Sequence, residues 1–231
     1  MSEKAHQVWS NQYRELFAHY IAHPFTLGPH ASQMQHDDPK HALFTLARYK
    51  FCAKMLIGKR RLLELGCGDG FGVPLVRQEV KPESITCIDF DAAVVENNRL
   101  RFRNMPEVTF LAQDFTAAPL EGAFDGAYSI DVLEHIEPEE EARFMENVAS
   151  VLTMDGVFIV GTPNKCAAQY ASPESNATHF NLKDVRELRD LMRRYFSNVF
   201  VFSMNDEVVH TGYAPMAHFL FALGAGPIPR G

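Results

Sequence analysis

Leu62-Leu63-Glu64-Leu65-Gly66-Cys67-Gly68-Asp69-Gly70-Phe71-Gly72 is an apolar strand that runs into a glycine loop and then a helix, and its reading decides the fold. Glycines there let the backbone turn sharply and approach a ligand closely, while the helix that follows offers unpaired N–H groups to an anion. A nucleotide-like cofactor is the natural occupant. The dinucleotide fingerprint G-x-G-x-x-G would need its third glycine where this chain has Phe71, and no Gly-Lys-Ser/Thr follows to make a Walker loop. The spacing is G-x-G-x-G instead, which sets a nicotinamide dinucleotide back. A tight turn that needs glycine for structure alone is the bland alternative, and the neighbouring strands decide against it.

Working outward, apolar runs alternate with helical patterns. Arg61 to Leu65, Ile85 to Ile88, Val108 to Leu111, Phe124 to Ile130 and Val157 to Val160 read as strands, and helices are expected from Asp91, from about Glu139 to Leu152 and from Lys183 to Tyr195. The strands are too apolar to be half solvated, so the pattern is a parallel sheet covered by helices on both faces. Phe144, Met145, Val148, Val151 and Leu152 form the buried stripe of one helix, and Val185, Leu188, Leu191 and Met192 that of another. Val199 to Phe202 is a further strand, whereas Met216 to Leu223 fits a strand or a short helix equally well. Upstream, residues 5 to 21 place Trp9, Tyr13, Leu16, Phe17 and Tyr20 at helical spacing, and a second helix from His41 to about Leu56 shows Phe44, Ala47, Phe51 and Met55 on one face. Ala22 to Lys40 between them has no period and reads as a lid, a binding loop or disorder. The expected division is residues 1–58 as an N-terminal helical cap and 59–231 as the cofactor-binding core.

The 231 residues suit one large domain or one and a half at roughly 150 per domain. Hydrophobic residues at 46% and charged residues at 22% exclude disordered, collagenous and coiled-coil classes. A net charge of −7 lacks the basic footprint of a protein that tracks a phosphate backbone, so nucleic acid falls behind small molecules as substrate. Cys52, Cys67, Cys87 and Cys166 show no CxxC or zinc-like spacing and read as buried thiols of a reducing compartment. The N-terminus starts no signal peptide, and the apolar run from Ala217 to Ala225 is too short for a membrane span, so a cytoplasmic protein is expected.

Two acidic residues give the glycine loop its meaning. Asp89 closes the second strand, where a carboxylate can accept both hydroxyls of a ribose, while Asp91 is better placed to cap the next helix. Asp114 lies at the end of the third strand, where it could take the exocyclic amine of an adenine or serve as an ordinary turn residue. The polar groups of an adenosine site thus fall together at the carboxyl ends of the strands, where ligands of such sheets sit.

Glu64-Leu65-Gly66-Cys67-Gly68-Asp69-Gly70, Asp89, Asp114-Phe115 and Phe124 to Ile136, with its Asp131-Val132-Leu133-Glu134-His135-Ile136, together resemble the successive motifs of class I S-adenosylmethionine-dependent methyltransferases. The last stretch is similar to the small-molecule branch that includes ubiquinone-pathway O-methyltransferases. The resemblance covers about residues 59 to 164. It implies a Rossmann-like α/β fold with a seven-stranded sheet whose last strand is antiparallel, which would be Met216 to Leu223. It implies S-adenosyl-L-methionine as cofactor, with Glu64, Gly66, Cys67, Gly68 and Gly70 around its methionyl part and Asp89 on the ribose. Asp114 would take the adenine amine, Phe90 and the backbone of Phe115 would line the ring, and Ser129 and Asp131 would face the transferred methyl.

A hydroxyl acceptor calls for a general base, and histidine is the usual one. His135 follows the fourth strand near the expected methyl position, although it could equally fix the turn there. His179, in the polar loop after Gly161-Thr162-Pro163-Asn164, sits on the expected acceptor rim or is a solvated loop histidine. His30, His36 and His41 fall in the cap, where solvation or helix capping explains them. His36-Asp37-Asp38 and Asn205-Asp206-Glu207 with His210 contain ligand types but no aligned metal pattern, so no metal residue is assigned. The expected function is methyl transfer to a hydroxyl of a small molecule or a sugar, because Asn164–Asn181 and His23–Lys40 offer many hydrogen-bonding groups. The motifs Asn-Pro-Pro-Tyr and Pro-Cys of nucleic-acid methyltransferases are absent, while N- or C-methylation of a metabolite and a non-catalytic cofactor binder stay open.

Overall fold

A computed structural model describes residues 2–229. Among them eight strands form one sheet in the order β3-β2-β1-β4-β5-β8-β6-β7. Strands β1 (Arg61–Leu65), β2 (Ser84–Asp89), β3 (Val108–Ala112), β4 (Phe124–Ile130) and β5 (Leu152–Pro163) are mutually parallel. Strand β8 (Phe219–Pro227) runs antiparallel between β5 and β6 (Phe196–Asn205), which settles the ambiguous tail as strand. The seven expected strands are joined by an eighth, the three-residue hairpin strand β7 (Val208–His210) on the β6 edge.

Side-chain alternation in the strands fills two cores. Leu63, Leu65, Ala127, Phe158 and Val160 face α6 (Glu141–Val151) and α7 (Val185–Arg193), whose Phe144, Met145, Val148, Leu188, Leu191 and Met192 are buried as their stripes predict. Leu62, Ile85, Cys87, Tyr128 and Ile159 face the opposite way, toward α3 (Pro39–Met55), α4 (Val73–Val80) and α5 (Ala92–Arg101). Two-faced burial of this kind explains why the strands read as continuous apolar runs. Asp91 caps α5 by accepting from the amides of Ala93 and Val94, as expected of it.

The N-terminal segment departs from expectation in three ways. The stretch without a period contains a helix, α2 (Pro29–Asp37), entered through Pro29 at its first position. Helix α3 buries Ala42, Thr45, Tyr49, Cys52 and Ala53, not the face centred on Phe44, Phe51 and Met55, because the Tyr49 ring lies where any side chain at Gly72 would have to go. Its small residues allow that close approach to α4, while Phe44, Ala47 and Phe51 are only half-buried and Met55 is exposed. Helix α1 (Glu3–Ala22) buries none of its residues, so its aromatic stripe stands exposed with Trp9 stacked on Tyr13. Cys52, Cys67 and Cys87 are buried free thiols, whereas Cys166 is exposed.

Candidate active site

The glycine loop follows β1 in the conformation its sequence demands. Gly66 has φ +70° and its α-carbon lies so close to Val132 that a side chain would clash, while Gly68 has φ +49° and open space where a side chain would stand. Loop amides of Gly66 and Cys67 both donate to the carbonyl of Ile88 at 2.9 Å, and buried Asn98 of α5 donates to the Gly68 carbonyl at 2.7 Å. Asp89 Oδ2 accepts from the Gly68 amide at 2.8 Å and Oδ1 from the Asp91 amide at 3.0 Å. That carboxylate therefore stands at the loop, at a strand end in register with β3.

A cavity of about 640 Å³ opens beside the loop. Gly66, Cys67, Gly68 and Asp69 form one wall, and Asp131, Glu134, His135 and His179 form another. The cap supplies His30, Met34, His41, Thr45 and Arg48, and Tyr170 and Ala171 come from the segment after β5. No helix among the described residues is long and apolar enough to cross a membrane.

Of the expected site residues, Gly66, Cys67, Gly68, Asp131, His135 and His179 share this cavity. Asp89, Phe90, Asp114 and Phe115 lie outside it at the ends of β2 and β3, with Phe90 82% exposed. Asp114 Oδ1 accepts from the amide and hydroxyl of Thr116, and those bonds hold its carboxyl below the usual range. Phe115 is buried and its carbonyl accepts from Asn147 Nδ2 at 2.7 Å. Gly70, with φ +71°, packs against Phe102.

Glu64 is corrected by its surroundings. It is sealed within the core and absent from the cavity wall, with Oε2 accepting from the Tyr128 hydroxyl at 3.0 Å and from the Cys87 thiol. Burial pushes its carboxyl up to about 7 against the pull of those bonds. Its hydrogen bonds here are to the core and not to the cavity. Burial likewise raises the Cys67 thiol and keeps it protonated. Ser129 is fully buried, and its Oγ has no hydrogen-bond partner among the described residues.

The acceptor end is built from residues that sequence alone leaves scattered. His135 Nδ1 lies 3.0 Å from the Thr178 carbonyl, and because a carbonyl only accepts, Nδ1 carries the proton and Nε2 keeps its lone pair. The His135 and His179 rings stand 4.9 Å apart at 76°. Burial and then the neighbouring His135 lower the pKa of His179. Glu134 is buried, with Oε2 accepting from the Thr162 hydroxyl at 2.9 Å, and burial followed by the charge of Asp131 pushes its carboxyl up to about 8. His30 and His41, read as solvated or capping, are cavity residues, and Arg48 has no signal in the sequence at all. Within the polar segment Asn164–Asn181, Asn164 lines the cavity while its amide donates to the carbonyls of Ala214 and Ala217, and Asn181 is buried and donates to Glu141. The clusters weighed for metal do not assemble: His36 pairs with exposed Asp37, and His210 Nε2 bonds Asn205.

Residues 62–156 match a family model described as a methyltransferase domain. Over 107 residues the chain is 31% identical to a protein of Mycobacterium tuberculosis described as a probable S-adenosylmethionine-dependent methyltransferase, a match covering 46% of this chain and 36% of that one. This chain thus spans little more than a third of that relative's length. In fold it is similar to the methyltransferase domain of bacterial CtHen1-C, with a TM-score of 0.67, 16% identity and coverage of 80% of this chain and 100% of that one. The N-methyltransferase NodS from Bradyrhizobium japonicum, solved with S-adenosyl-L-homocysteine, is similar over 83% of this chain and 90% of its own, with a TM-score of 0.60 and 16% identity. The loop geometry and the parallel sheet that carries it fall within the stretch, residues 62–156, that is similar to a methyltransferase domain, and the chain resembles S-adenosylmethionine-dependent methyltransferases in sequence and in fold.

Proposed function

We propose that this protein transfers a methyl group from S-adenosylmethionine to a hydroxyl of a small polar molecule or glycan. One observation carries the reading: a single cavity runs from the glycine loop to the His135–His179 pair. A donor seated against the loop and an acceptor seated against the imidazoles would share one chamber, which supplies the proximity that such a displacement needs.

The residues present fit the cofactor. Open space at Gly68 admits the methionyl end, Asp89 stands where ribose hydroxyls would replace its bond to the Gly68 amide, and Asp114 with the Phe115 backbone would receive the adenine. Ser129 and Asp131 end the strand beside the methionyl position. The bound cofactor supplies an electrophilic methyl on a sulfonium sulfur. The cap forms one side of the chamber, with α2 tethered where the Asp69 carboxylate accepts from the Ala31 amide at 2.8 Å. His179, its pKa lowered, is neutral at neutral pH, the state in which an imidazole can deal with the proton of an acceptor hydroxyl. Three buried free thiols support a reducing, cytoplasmic setting.

The test is transfer of label from S-adenosylmethionine into an extract that is fractionated into metabolites, glycans, nucleic acid and protein. Label on oxygen in a metabolite or glycan fraction is the expected result. Label on nitrogen or carbon, or in nucleic acid or protein, overturns the acceptor class, and no label from a chain that binds S-adenosylhomocysteine overturns turnover itself.

A further inference from the structure

Glu134, His135 and His179 each present one ligand atom, and these atoms all lie within 4.8 Å of one another. Glu134 is fully buried yet lines the cavity, and while Oε2 is held by Thr162, Oε1 has no hydrogen-bond partner among the described residues. A buried carboxyl oxygen left unbonded is costly, and a cation that displaces the proton of this group is a partner its chemistry suits. His135 has the support found behind ligating imidazoles: its Nδ1 proton is given to a backbone carbonyl, which fixes the ring and leaves Nε2 free. The third ligand is stapled to the first, since the amides of Phe180 and Asn181, next to His179, both donate to the Glu134 carbonyl at 3.1 Å. Two segments 44 residues apart are thus held together by backbone bonds that need no ion to form.

We propose that Glu134, His135 and His179 bind a divalent transition-metal ion of the manganese, cobalt or zinc kind, which seats the oxygen of the acceptor. Two imidazoles with one carboxylate favour such ions over magnesium and calcium, which prefer shells made of oxygen. Three protein ligands leave coordination positions open toward the cavity, as catalytic metal sites do. The seating of an acceptor rests on the methyl-transfer reading above; the binding of the ion does not. In that reaction an acceptor hydroxyl that binds the ion gives its proton to solvent water, because the ion lowers its pKa. The oxygen lone pair then attacks the methyl carbon, the O–C bond forms as the C–S bond breaks, and the bonding pair stays on sulfur. The products are the methyl ether and the neutral thioether S-adenosylhomocysteine. With the ion bound, His135 and His179 act as its ligands, and the proton-accepting role given to His179 above passes to water.

The test is titration of Mn²⁺ into the full chain, stripped by a chelator and carrying no histidine tag, with the free ion followed by electron paramagnetic resonance. One equivalent should bind, and a hundredfold excess of Mg²⁺ should leave most of it bound. His179→Ala and His135→Ala, both at positions outside the core, should each weaken Mn²⁺ at least tenfold while calorimetry shows S-adenosylhomocysteine bound as before. No saturable binding, or binding that both variants leave unchanged, overturns the site. A chain that binds Mn²⁺ through these residues but fails to bind S-adenosylhomocysteine overturns the methyl-transfer reading and leaves the ion site standing.

Discussion

Arg48 Nη1 donates to Asp131 Oδ2 at 2.5 Å, joining the middle of α3 to the residue that follows β4, 83 positions later. The guanidinium also lies 4.0 Å over the ring of Phe219 in β8, so one side chain connects the cap, the carboxyl edge of the sheet and the last strand. Asp131 holds φ +57°, a conformation that aspartate and asparagine tolerate better than most residues. The pair stands on the cavity wall, where it fixes the direction in which Asp131 faces.

The two halves of that pair are not equivalent. Arg48 is 13% exposed with Nε unpartnered among the described residues, whereas a third of the Asp131 side chain reaches solvent. Asp131→Asn keeps shape and backbone preference but strands a buried cation, and it should cost about 2 kcal/mol once solvent screening is allowed for. Arg48→Met keeps packing over Phe219 and leaves a carboxylate that water can reach, so it should cost about half as much or less. Thermal unfolding checks the order: Asp131→Asn should lower Tm by roughly 4–8 °C. An equal or larger loss in Arg48→Met would show that packing, and not the stranded charge, dominates.

Asp69 links the glycine loop to the cap. Its carboxylate accepts from Ala31 in the first turn of α2, and Gly28 sits so close to it that a β-carbon would fall 2.4 Å from Oδ2. Asp69→Ala removes that cap and should cost the docking of α2 about 1 kcal/mol. Because α2 contributes only Ala31 and Met34 to a small cluster with Ala42, global stability should change little. The expected signature is faster amide hydrogen exchange confined to residues 29–37 with Tm nearly unaltered. Gly28→Ala should produce the same local signature by displacing the Asp69 side chain.

These tertiary links mark where the sequence stops being legible. Strands β1 and β4 follow from apolar runs alone, because parallel strands buried on both faces have no other way to be written. Helix α2 does not, since its short stretch of His, Gln and Ser carries no stripe and its anchor is Asp69, 38 residues beyond Ala31. The buried face of α3 is not the one that Phe44, Phe51 and Met55 mark, because the Tyr49 ring packs into the space Gly72 leaves and turns Ala42, Cys52 and Ala53 inward with it. Resemblance located Asp131 and His135, but their partners Arg48 and Thr178 lie 83 and 43 positions away in chain and share no local pattern with them. Polarity marks the segment Asn164–Asn181 as a whole, but not that backbone carbonyls hold the amide of Asn164 at the cavity wall and that Glu141 holds the amide of Asn181 inside the fold.

Asp89 offers a direct check on the cofactor assignment. Both of its oxygens accept backbone amides of the loop region, so the carboxylate is oriented before any ligand arrives. If it receives the ribose hydroxyls, Asp89→Ala should lose charge-assisted hydrogen bonds worth about 1.5–3 kcal/mol, or about 10- to 100-fold in affinity. Calorimetry with S-adenosylhomocysteine reads this directly. Unchanged affinity with a normal unfolding curve would remove Asp89 from the cofactor site.

Glu64 makes the stability of the fold depend on pH in a direction that can be worked out. Its carboxyl lies at about 7 in the folded chain, against 4.5 ordinarily, chiefly because burial disfavours the charge. Below about pH 4.5 both folded and unfolded chains hold the proton, and the residue adds no pH dependence there. Between about 4.5 and 7 the unfolded chain ionises while the folded one does not, so stability falls as pH rises; above 7 the penalty is complete, at about 3 kcal/mol. Glu64→Gln retains a carbonyl that can accept from Tyr128 and never ionises. Denaturant unfolding of both proteins from pH 5 to 8 should show the variant gaining on the native chain steadily up to neutrality and then holding its lead. A difference that stays flat across this range would mean that the native carboxyl is ionised throughout and that the bonds from Tyr128 and Cys87 outweigh its burial.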